Sequence, residues 1–301
     1  MNATRPRVLL AANPHSRRGP QAAAAARSTL LAAGCTVLPE ERHAQQDIAA
    51  LIREHIGAAD AVAIAGGDGT LNAAAPALLE AKLPLLIIPA GTANDLARTL
   101  GIPPDPAAAT RLLLEGCTRR IDIGFANDVP FFNVASIGFG VDLARALTRD
   151  SKRRWGVLGY LLAAARTLRR LRPFTAYITH GKTTTISRTV HVAVGNGRHY
   201  GGGMTVAEHA CIDDNRLDVF SLEISGLWGL LKLLPALRSG RHGHWTEIRT
   251  LAGEELDIHT HRPRSVNTDG EITTHTPAVF RVLPGAVTVF APPSSPNRMN
   301  H

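Results

Sequence analysis

The sequence predicts a two-domain protein: an α/β domain on a doubly wound, mostly parallel sheet, then a domain that is mainly an antiparallel β-sandwich. From residue 7 to about residue 125, apolar strand-like runs alternate with helical segments, which is typical of a parallel sheet with helices on both faces. Beyond Asn127 the β-type runs become shorter. Because 301 residues can bury two cores, we expect domains at residues 1–126 and 127–284.

In the first domain, strands and helices are expected in strict alternation. The expected strands cover residues 8–12, 36–38, 62–65 and 85–88, and the helices begin at Gln21, Gln46, Thr70 and Asn94. Ligands of such sheets bind beyond the carboxyl ends of the strands. We therefore expect the functional residues of this domain in the turns that follow its strands.

In the second domain, short strands are expected around two helical inserts. They cover residues 131–134, 176–179, 189–194, 217–222, 247–251 and 256–258. Two further runs, 278–283 and 287–290, precede a polar tail. Short strands of this kind favour an antiparallel sandwich.

The net charge indicates which kinds of partner the protein can bind, and the cysteine content indicates the redox state of its compartment. A net charge of +8 and a pI near 10.1 favour anionic partners such as nucleotides, acidic lipid surfaces or nucleic acid. Cys35, Cys117 and Cys211 are isolated, which fits a reducing cytoplasm and predicts no disulfide framework. The apolar run at 8–12 is read as a first strand and not as a signal peptide. No apolar stretch approaches the roughly 20 residues that span a bilayer.

The strongest single feature is a glycine-rich turn between an expected strand and an expected helix. It consists of Gly66, Gly67, Asp68, Gly69, Thr70, Leu71 and Asn72. Glycines let the backbone approach a polyphosphate, the following helix directs N–H groups at it, and a carboxylate suits a magnesium and water network. The alternative is an ordinary strand-to-helix turn, in which glycine and aspartate are both common.

Spacing excludes two familiar phosphate-binding motifs. The dinucleotide fingerprint needs a glycine at Asn72, and a Walker loop ending at Lys182 and Thr183 needs its first glycine at Ala176. A second glycine turn favours a nucleotide site. It reads Ile87-Ile88-Pro89-Ala90-Gly91-Thr92-Ala93-Asn94-Asp95-Leu96-Ala97-Arg98 and again joins a buried strand to a helix.

With two later motifs, these turns resemble the diacylglycerol-kinase-type lipid kinases, which include sphingosine and ceramide kinases and bacterial relatives. The family pattern is GGDGT-N, P-x-GT-x-ND-x-AR, N-G-x-x-x-GGG and D-G-E. All four occur here in order, the last two as Asn196-Gly197-Arg198-His199-Tyr200-Gly201-Gly202-Gly203 and Asp269-Gly270-Glu271. The resemblance implies a first domain like that of NAD kinases and phosphofructokinases, with residues from about 285 to 301 packing back onto it.

The resemblance also implies where ATP binds. The nucleotide would be held by the first glycine turn, by Thr92 and Asn94, and by Asn13, Arg17 and Arg18. Arg17 stands where the family usually has glycine.

Carboxylates supply the remaining groups that phosphoryl transfer needs. By resemblance, Asp68, Asp95 and Asp122 form a network with water and magnesium, and Glu271 is the general base. From position alone, Asp95 also fits a first-turn helix residue and Asp122 a strand-end turn. Sequence alone likewise favours a hairpin with Asp-Gly at its tip and Glu271 in solvent.

The segment Cys211-Ile212-Asp213-Asp214-Asn215-Arg216-Leu217-Asp218 resembles the family's D-D-G-x-L-D turn. There Asp214, with the carbonyls of Cys211 and Arg216, would hold a structural magnesium ion, and Asp213 would face the active site. Asn215 replaces the usual glycine, and asparagine tolerates a positive φ. Ala73 and Glu208 depart from the glutamate and proline that are common in the family.

Two basic amphipathic segments suit an anionic membrane surface. Residues 152–172 carry seven basic side chains and no acid along an apolar stripe, and a second helix around Trp228 precedes Arg238 and Arg241. The alternative is a packing helix whose arginines are solvated.

The function expected is that of a cytoplasmic, membrane-visiting lipid kinase that transfers the γ-phosphoryl group of ATP to a lipid hydroxyl, with Mg²⁺ as cofactor. Diacylglycerol is the first choice of acceptor, and sphingoid bases, ceramide and phosphatidylglycerol stay open. NAD kinase is a second enzyme class, and a lipid-sensing module without catalysis is the non-enzymatic alternative. The expected partners are the lipid and an anionic membrane surface, not nucleic acid; a homodimer is left open.

Overall fold

The computed structural model describes residues 5–13, 16, 18–39, 47–139, 141, 172–197, 199–200, 204–205, 210–223 and 248–293. The chain separates into two compact units. The first unit comprises Met1–Ile121 and Gly285–His301, and the second comprises Asp122–Pro284. Strands β5 (Thr118–Ala126) and β18 (Ala278–Phe290) contribute residues to both units.

The first unit is a parallel sheet with helices. Its elements are β1 (Arg7–Ala12), α1 (Gly19–Ala32), β2 (Thr36–Leu38), α2 (Ile48–Glu54), β3 (Ala61–Gly66), α3 (Asp68–Ala81), β4 (Leu85–Pro89), α4 (Asp95–Leu100) and α5 (Pro106–Glu115). The strand order is β2-β1-β3-β4-β18, and the registered pairs are parallel. Every residue of β3 and β4 is buried, as expected for a parallel sheet covered by helices on both faces.

Helix α5 is a helix that the strand and helix pattern did not predict. Its signals are nevertheless present in the sequence. The Asp105 side chain accepts a hydrogen bond from the N–H of Ala108 (2.8 Å), Pro106 is the first helical residue, and Gly116 ends the helix with φ +71°.

The second unit is an antiparallel sandwich. Its strands are β6 (Val129–Phe131), β7 (Val134–Gly138), β8 (Phe174–His180), β9 (Thr183–Thr189), β10 (His191–Gly195), β11 (His199–Tyr200), β12 (Met204–Thr205), β13 (Leu217–Leu222), β14 (Ile248–Gly253), β15 (Glu255–Thr260), β16 (Ser265–Thr268) and β17 (Glu271–His275). One sheet has the order β14-β13-β10-β7-β16-β17; the other runs β18-β15-β8-β9, starting from the first residues of β18. Their inner faces share one buried core, which includes Ile137, Val192 and Phe280.

Predicted runs are divided or joined differently in the structure at three places. The run at 131–134 is split between β6 and β7, because the N–H groups of Phe132 and Asn133 bind the Asp269 carboxylate. The run at 189–194 is split between β9 and β10, where the Thr189 hydroxyl accepts the N–H of His191. The last two runs form one strand, β18.

The features proposed for membrane contact fall mainly outside the described residues. These are residues 152–171 of the basic segment and the Trp228 helix. Within the ranges given above, no helix is both long and apolar enough to cross a membrane.

Candidate active site

The first glycine turn forms the start of helix α3. Gly66 ends β3, Gly67 is the N-cap residue and Asp68 is the first helical residue. The Gly67 carbonyl accepts hydrogen bonds from the N–H groups of Thr70 (2.9 Å) and Leu71 (3.1 Å). The N–H groups that precede Thr70 in the helix have no intrahelical partner. The start of this 14-residue helix is therefore suited to an anion.

The second glycine turn is shaped by Asn94. Its backbone has a left-handed φ of +50°, a conformation that asparagine adopts more readily than most residues. Its Oδ1 accepts the N–H of Gly91 (2.9 Å), and its Nδ2 donates to the Gly91 carbonyl (3.1 Å). Asn94 thus closes the turn that begins α4, and Thr92 is exposed on that turn.

The two glycine turns pack directly against each other. A Cβ atom placed on Gly91 would lie 2.5 Å from the Cα of Gly67, which is far inside normal carbon contact distance. In addition, Asp68 Oδ1 accepts the N–H of Leu96 in α4 (3.1 Å). The glycines therefore have a packing role between the turns, and Asp68 is partly committed to a backbone contact that the sequence did not indicate.

The loop after β1 joins the same cluster. Asn13 Nδ2 donates to Thr70 Oγ1 (3.4 Å), and the Ser16 hydroxyl donates to the Ala90 carbonyl (3.5 Å). Arg18 is exposed at the N-cap of α1, whereas Arg17 lies outside the described residues. The ends of β1, β3 and β4 thus bring together most of the residues predicted to bind nucleotide, namely Asn13, Gly66, Gly67, Asp68, Gly69, Thr70, Leu71, Asn72, Thr92 and Asn94.

Polar groups near these turns are buried at Asp95 and at the amide oxygen of Asn72. Asp95 is the first residue of α4, which agrees with its alternative interpretation as a first-turn helix residue, and it is 5% exposed. The amide oxygen of Asn72 is buried and has no hydrogen-bond partner among the described residues. Since a buried polar atom is normally paired, Asn72 can offer this oxygen to a ligand.

Asp122 is a buried anchor of the second unit. Its Oδ2 accepts the N–H of Asn215 (2.7 Å), and its own N–H donates to the Ile212 carbonyl (2.8 Å). These contacts fix the turn that contains Asp213 and Asp214. Asn215 has φ +61° in this turn, so asparagine takes the backbone conformation for which the family uses glycine.

Asp214 is the residue of this turn whose pKa is shifted. Its Oδ1 is buried without a hydrogen-bond partner in the described part of the chain, while its Oδ2 accepts from Arg216 Nε (3.1 Å). Desolvation, which the nearby Arg216 only partly offsets, raises the pKa of Asp214 from 3.8 to about 6, and Asp218 and Asp122 add to the rise. Asp214 lines a cleft of about 730 Å³ in the second unit.

A bound cation would offset the free-energy cost of burying the charged Asp214 carboxylate. Asp213 accepts a hydrogen bond from the Cys211 thiol (3.1 Å) and is exposed. Across the described ranges, no three His, Cys, Asp or Glu side chains are grouped as metal ligands. The site predicted at Asp214 differs from such a group, since it uses one carboxylate with the backbone carbonyls of Cys211 and Arg216.

Glu271 is the first residue of β17, directly after a two-residue turn. Asp269 and Gly270 have φ +48° and +100°, as a tight hairpin turn requires. Glu271 pairs with Thr268 and its side chain is exposed. The hairpin favoured by sequence is therefore present, and it leaves the Glu271 carboxylate accessible to a substrate.

Models of two protein families match the chain. The "diacylglycerol kinase catalytic domain" matches residues 7–126, and the "YegS C-terminal NAD kinase beta sandwich-like domain" matches residues 135–291. The second match alone covers more than half of the chain. The two matches follow the order of the α/β and sandwich folds.

Named relatives and solved structures agree with these matches. A diacylglycerol kinase of Mycobacterium tuberculosis strain H37Rv is 33% identical over 243 residues, covering 77% of each chain. A probable lipid kinase YegS-like protein of Pseudomonas aeruginosa strain PAO1 is 33% identical over 253 residues, covering 83% of each. The crystal structure of a diacylglycerol kinase from Bacillus anthracis strain Sterne superposes with a TM-score of 0.74 at 25% identity, covering 95% of this chain and 97% of that one.

The family, fold class and enzyme class predicted from sequence are confirmed by these matches. Membership of a kinase family also implies the use of ATP. The chain belongs to the diacylglycerol kinase family, in its YegS-like group, and is a lipid kinase, a phosphotransferase with an alcohol acceptor.

Proposed function

We propose that the chain transfers the γ-phosphoryl group of ATP to the hydroxyl group of diacylglycerol in a magnesium-dependent reaction. The observation that carries the proposal is that two glycine turns of the first unit are joined. Gly67 contacts Gly91, and the Leu96 N–H donates a hydrogen bond to the Asp68 carboxylate. Two strand-to-helix turns that are held together in this way offer one backbone surface for a polyphosphate.

In this proposal the nucleotide phosphates lie at the start of α3. A Cβ atom added to Gly69 meets nothing within 4 Å, so there is open space beside the first helical turn. Thr92 is exposed on the adjoining turn, and its hydroxyl can donate to a phosphate oxygen. Arg18, exposed at the start of α1, supplies positive charge.

Glu271 is proposed to be the general base. The lipid hydroxyl gives its proton to the Glu271 carboxylate, its oxygen forms a bond to the γ-phosphorus, and the bond from that phosphorus to the bridging oxygen breaks to release ADP. An exposed carboxylate at a tight turn fits this step, because it can reach a substrate without moving the sheet.

Magnesium fits the residues that were predicted to hold it. The buried Oδ1 of Asp214, which has no hydrogen-bond partner in the described part of the chain, is an oxygen of the type that Mg²⁺ accepts as a ligand. The carbonyls of Cys211 and Arg216 would complete a structural site. Asp68, Asp95 and Asp122 are the proposed ligands of the water and magnesium network. Bound magnesium would neutralise charge on the phosphate oxygens.

Diacylglycerol is proposed as acceptor because relatives that match over most of their length carry that name. The proposal includes peripheral attachment to an anionic membrane surface on the cytoplasmic side. The net charge of +8 supports this attachment, and the acceptor lipid itself resides in a bilayer.

The test is phosphate transfer from labelled ATP to a panel of diacylglycerol, sphingosine, ceramide and phosphatidylglycerol in mixed micelles, with and without Mg²⁺. We expect label in phosphatidic acid only when Mg²⁺ is present. Glu271→Gln should lose this product, whereas Asp128→Asn, which changes a fully exposed carboxylate of the second unit, should keep it. Faster labelling of another lipid would refute the choice of diacylglycerol, and an active Glu271→Gln would refute the choice of base.

A further inference from the structure

We propose that Asp269 is a positioning residue for phosphoryl transfer, because its carboxylate fixes the Glu271 turn on three consecutive backbone N–H groups. The inference rests on the proposed role of Glu271 as general base. Asp269 belongs to the D-G-E motif, in which the family resemblance implies a role for Glu271 alone.

The three contacts are short and involve both carboxylate oxygens. Asp269 Oδ2 accepts the N–H of Phe132 (2.7 Å), and Oδ1 accepts those of Asn133 and Val134 (3.0 Å each). The backbone N–H of Asp269 also donates to the Val134 carbonyl (3.0 Å). An ionised carboxylate has only acceptors, whereas an amide would direct an NH₂ group at one of these donors. The position therefore favours aspartate over asparagine on chemical grounds.

The turn that Asp269 holds needs such an anchor. A φ of +48° is unfavourable for a residue with a side chain. Strand β17 lies at the edge of its sheet, and its pairing with β16 changes register between Val266 and Asn267. One further contact supports the turn, the hydrogen bond from Gly270 N–H to Asn267 Oδ1 (2.9 Å). Strand pairing alone thus gives Glu271 limited support.

The anchor is itself buried and continues to Asp122. Phe132 and Asn133 are 1% and 3% exposed. The Asn133 carbonyl accepts the N–H of Asn196 (2.9 Å). Asn196 Nδ2 donates to the carbonyls of Asp122 and Phe132 (2.9 Å each). Asp269 therefore fixes Glu271 relative to the Asp122 backbone through a chain of hydrogen bonds within the second unit.

The expected effect follows from the geometric demands of proton transfer. A displacement of about 1 Å at a reacting group can cost on the order of 100-fold in rate. Asp269→Asn should therefore lower kcat by about 10- to 100-fold. The KM for ATP should hardly change, because the residues proposed to bind nucleotide belong to the first unit.

The experiment is a double-mutant cycle of Asp269→Asn and Glu271→Gln, with kcat measured from labelled ATP and diacylglycerol micelles. If Asp269 acts through Glu271, its substitution lowers kcat in the wild-type background and has almost no effect in the Glu271→Gln background. Asp105→Asn is the matched control, because Asp105 also accepts a backbone N–H but caps α5 in the first unit. This control should keep the wild-type kcat.

The outcomes separate this inference from the proposed function. A Glu271→Gln variant with wild-type kcat overturns the role of Glu271. If Glu271→Gln is slow and Asp269→Asn lowers kcat by the same factor in that background as in the wild type, Asp269 is merely structural. This result overturns the inference. If circular dichroism shows that Asp269→Asn does not fold, Asn267→Ala replaces it in the cycle. Its smaller loss of kcat must then also vanish in the Glu271→Gln background, and an additive loss overturns the inference.

Discussion

Replacing Gly91 with alanine tests the contact between the two glycine turns. The new Cβ would lie 2.5 Å from the Cα of Gly67 and 2.8 Å from Asn94 Oδ1. Non-bonded carbon atoms prefer about 3.5 to 4.0 Å. Because the Gly67 Cα is main chain, it cannot rotate away as a side chain would. The turns must therefore separate by about 1 Å.

The separation has a cost in stability and a consequence for the nucleotide. Overpacking of this kind costs about 1 to 3 kcal/mol, and each kcal/mol lowers the Tm of a domain of this size by about 2 to 4 °C. Movement of the second turn also strains the hydrogen bonds that the N–H groups of Gly91 and Leu96 donate to Asn94 and Asp68. We therefore expect a Tm lower by roughly 2 to 12 °C and weaker binding of ATP.

Gly69→Ala is the matched control for the steric argument. Its Cβ would meet nothing within 4 Å, and alanine in a helix is more favourable than glycine by up to about 1 kcal/mol. Its Tm should equal or exceed that of the wild type, while its KM for ATP should rise if the phosphates occupy the open space beside α3. Thermal unfolding is followed by circular dichroism without nucleotide, and ATP binding by calorimetry. Equal Tm values for Gly91→Ala and the wild type would refute the packing argument, and unchanged ATP affinity in Gly91→Ala would refute the shared nucleotide surface.

Three changes in the second unit test its titratable groups. Glu271→Gln should lower kcat by on the order of 100- to 10,000-fold with unchanged ATP affinity; a loss of ATP binding with intact kcat would make Glu271 structural. The pKa of Asp214 is raised from 3.8 to about 6, so without magnesium its contribution to stability is present below 3.8 and lost as the pH rises through 6. Asp214→Asn should reduce the pH dependence of the free energy of unfolding in that range, as measured by urea unfolding. At neutral pH, Mg²⁺ should raise the Tm of the wild type but not of this variant. Burial lowers the pKa of His191 from 6.5 to about 4. Its contribution to the free energy of unfolding is therefore present above pH 6.5 and lost as the pH falls through 4. If His191→Gln and the wild type lose stability with the same slope between these pH values, the neutral, buried state of His191 is contradicted.

The two glycine turns were predictable from sequence because their signals are local. In residues 66–72 and 87–98, an apolar run, glycines and the start of a helix occur within about a dozen positions. Strand and helix periodicity then assigns these turns to the carboxyl ends of parallel strands. The structure places Gly67 and Gly91 in contact, but their spacing in the sequence does not indicate that their Cα atoms touch.

Strand boundaries in the second unit were less predictable, since contacts between distant segments interrupt the pattern. Phe132 continues an apolar run and Asn133 lies within it, yet both residues leave the strand to bind Asp269, which lies 137 and 136 residues away. Gly285 has φ +52° inside the single strand β18, where the sequence indicated a break. A short-range pattern carries no information about such partners.

By itself, the sequence determined the family motifs, the order of α/β and sandwich folds, and the residue types available for phosphoryl transfer, because these depend on composition and spacing along the chain. Only the tertiary structure decided which groups the carboxylates contact. The Asp68 carboxylate accepts the N–H of Leu96, and the Asp122 carboxylate accepts the N–H of Asn215. The Asp269 carboxylate accepts the N–H groups of residues 132–134. An aspartate in a glycine turn can face water, metal or a backbone N–H group with the same local sequence. The choice depends on a segment 28 to 137 residues away, which folding alone brings within hydrogen-bond distance.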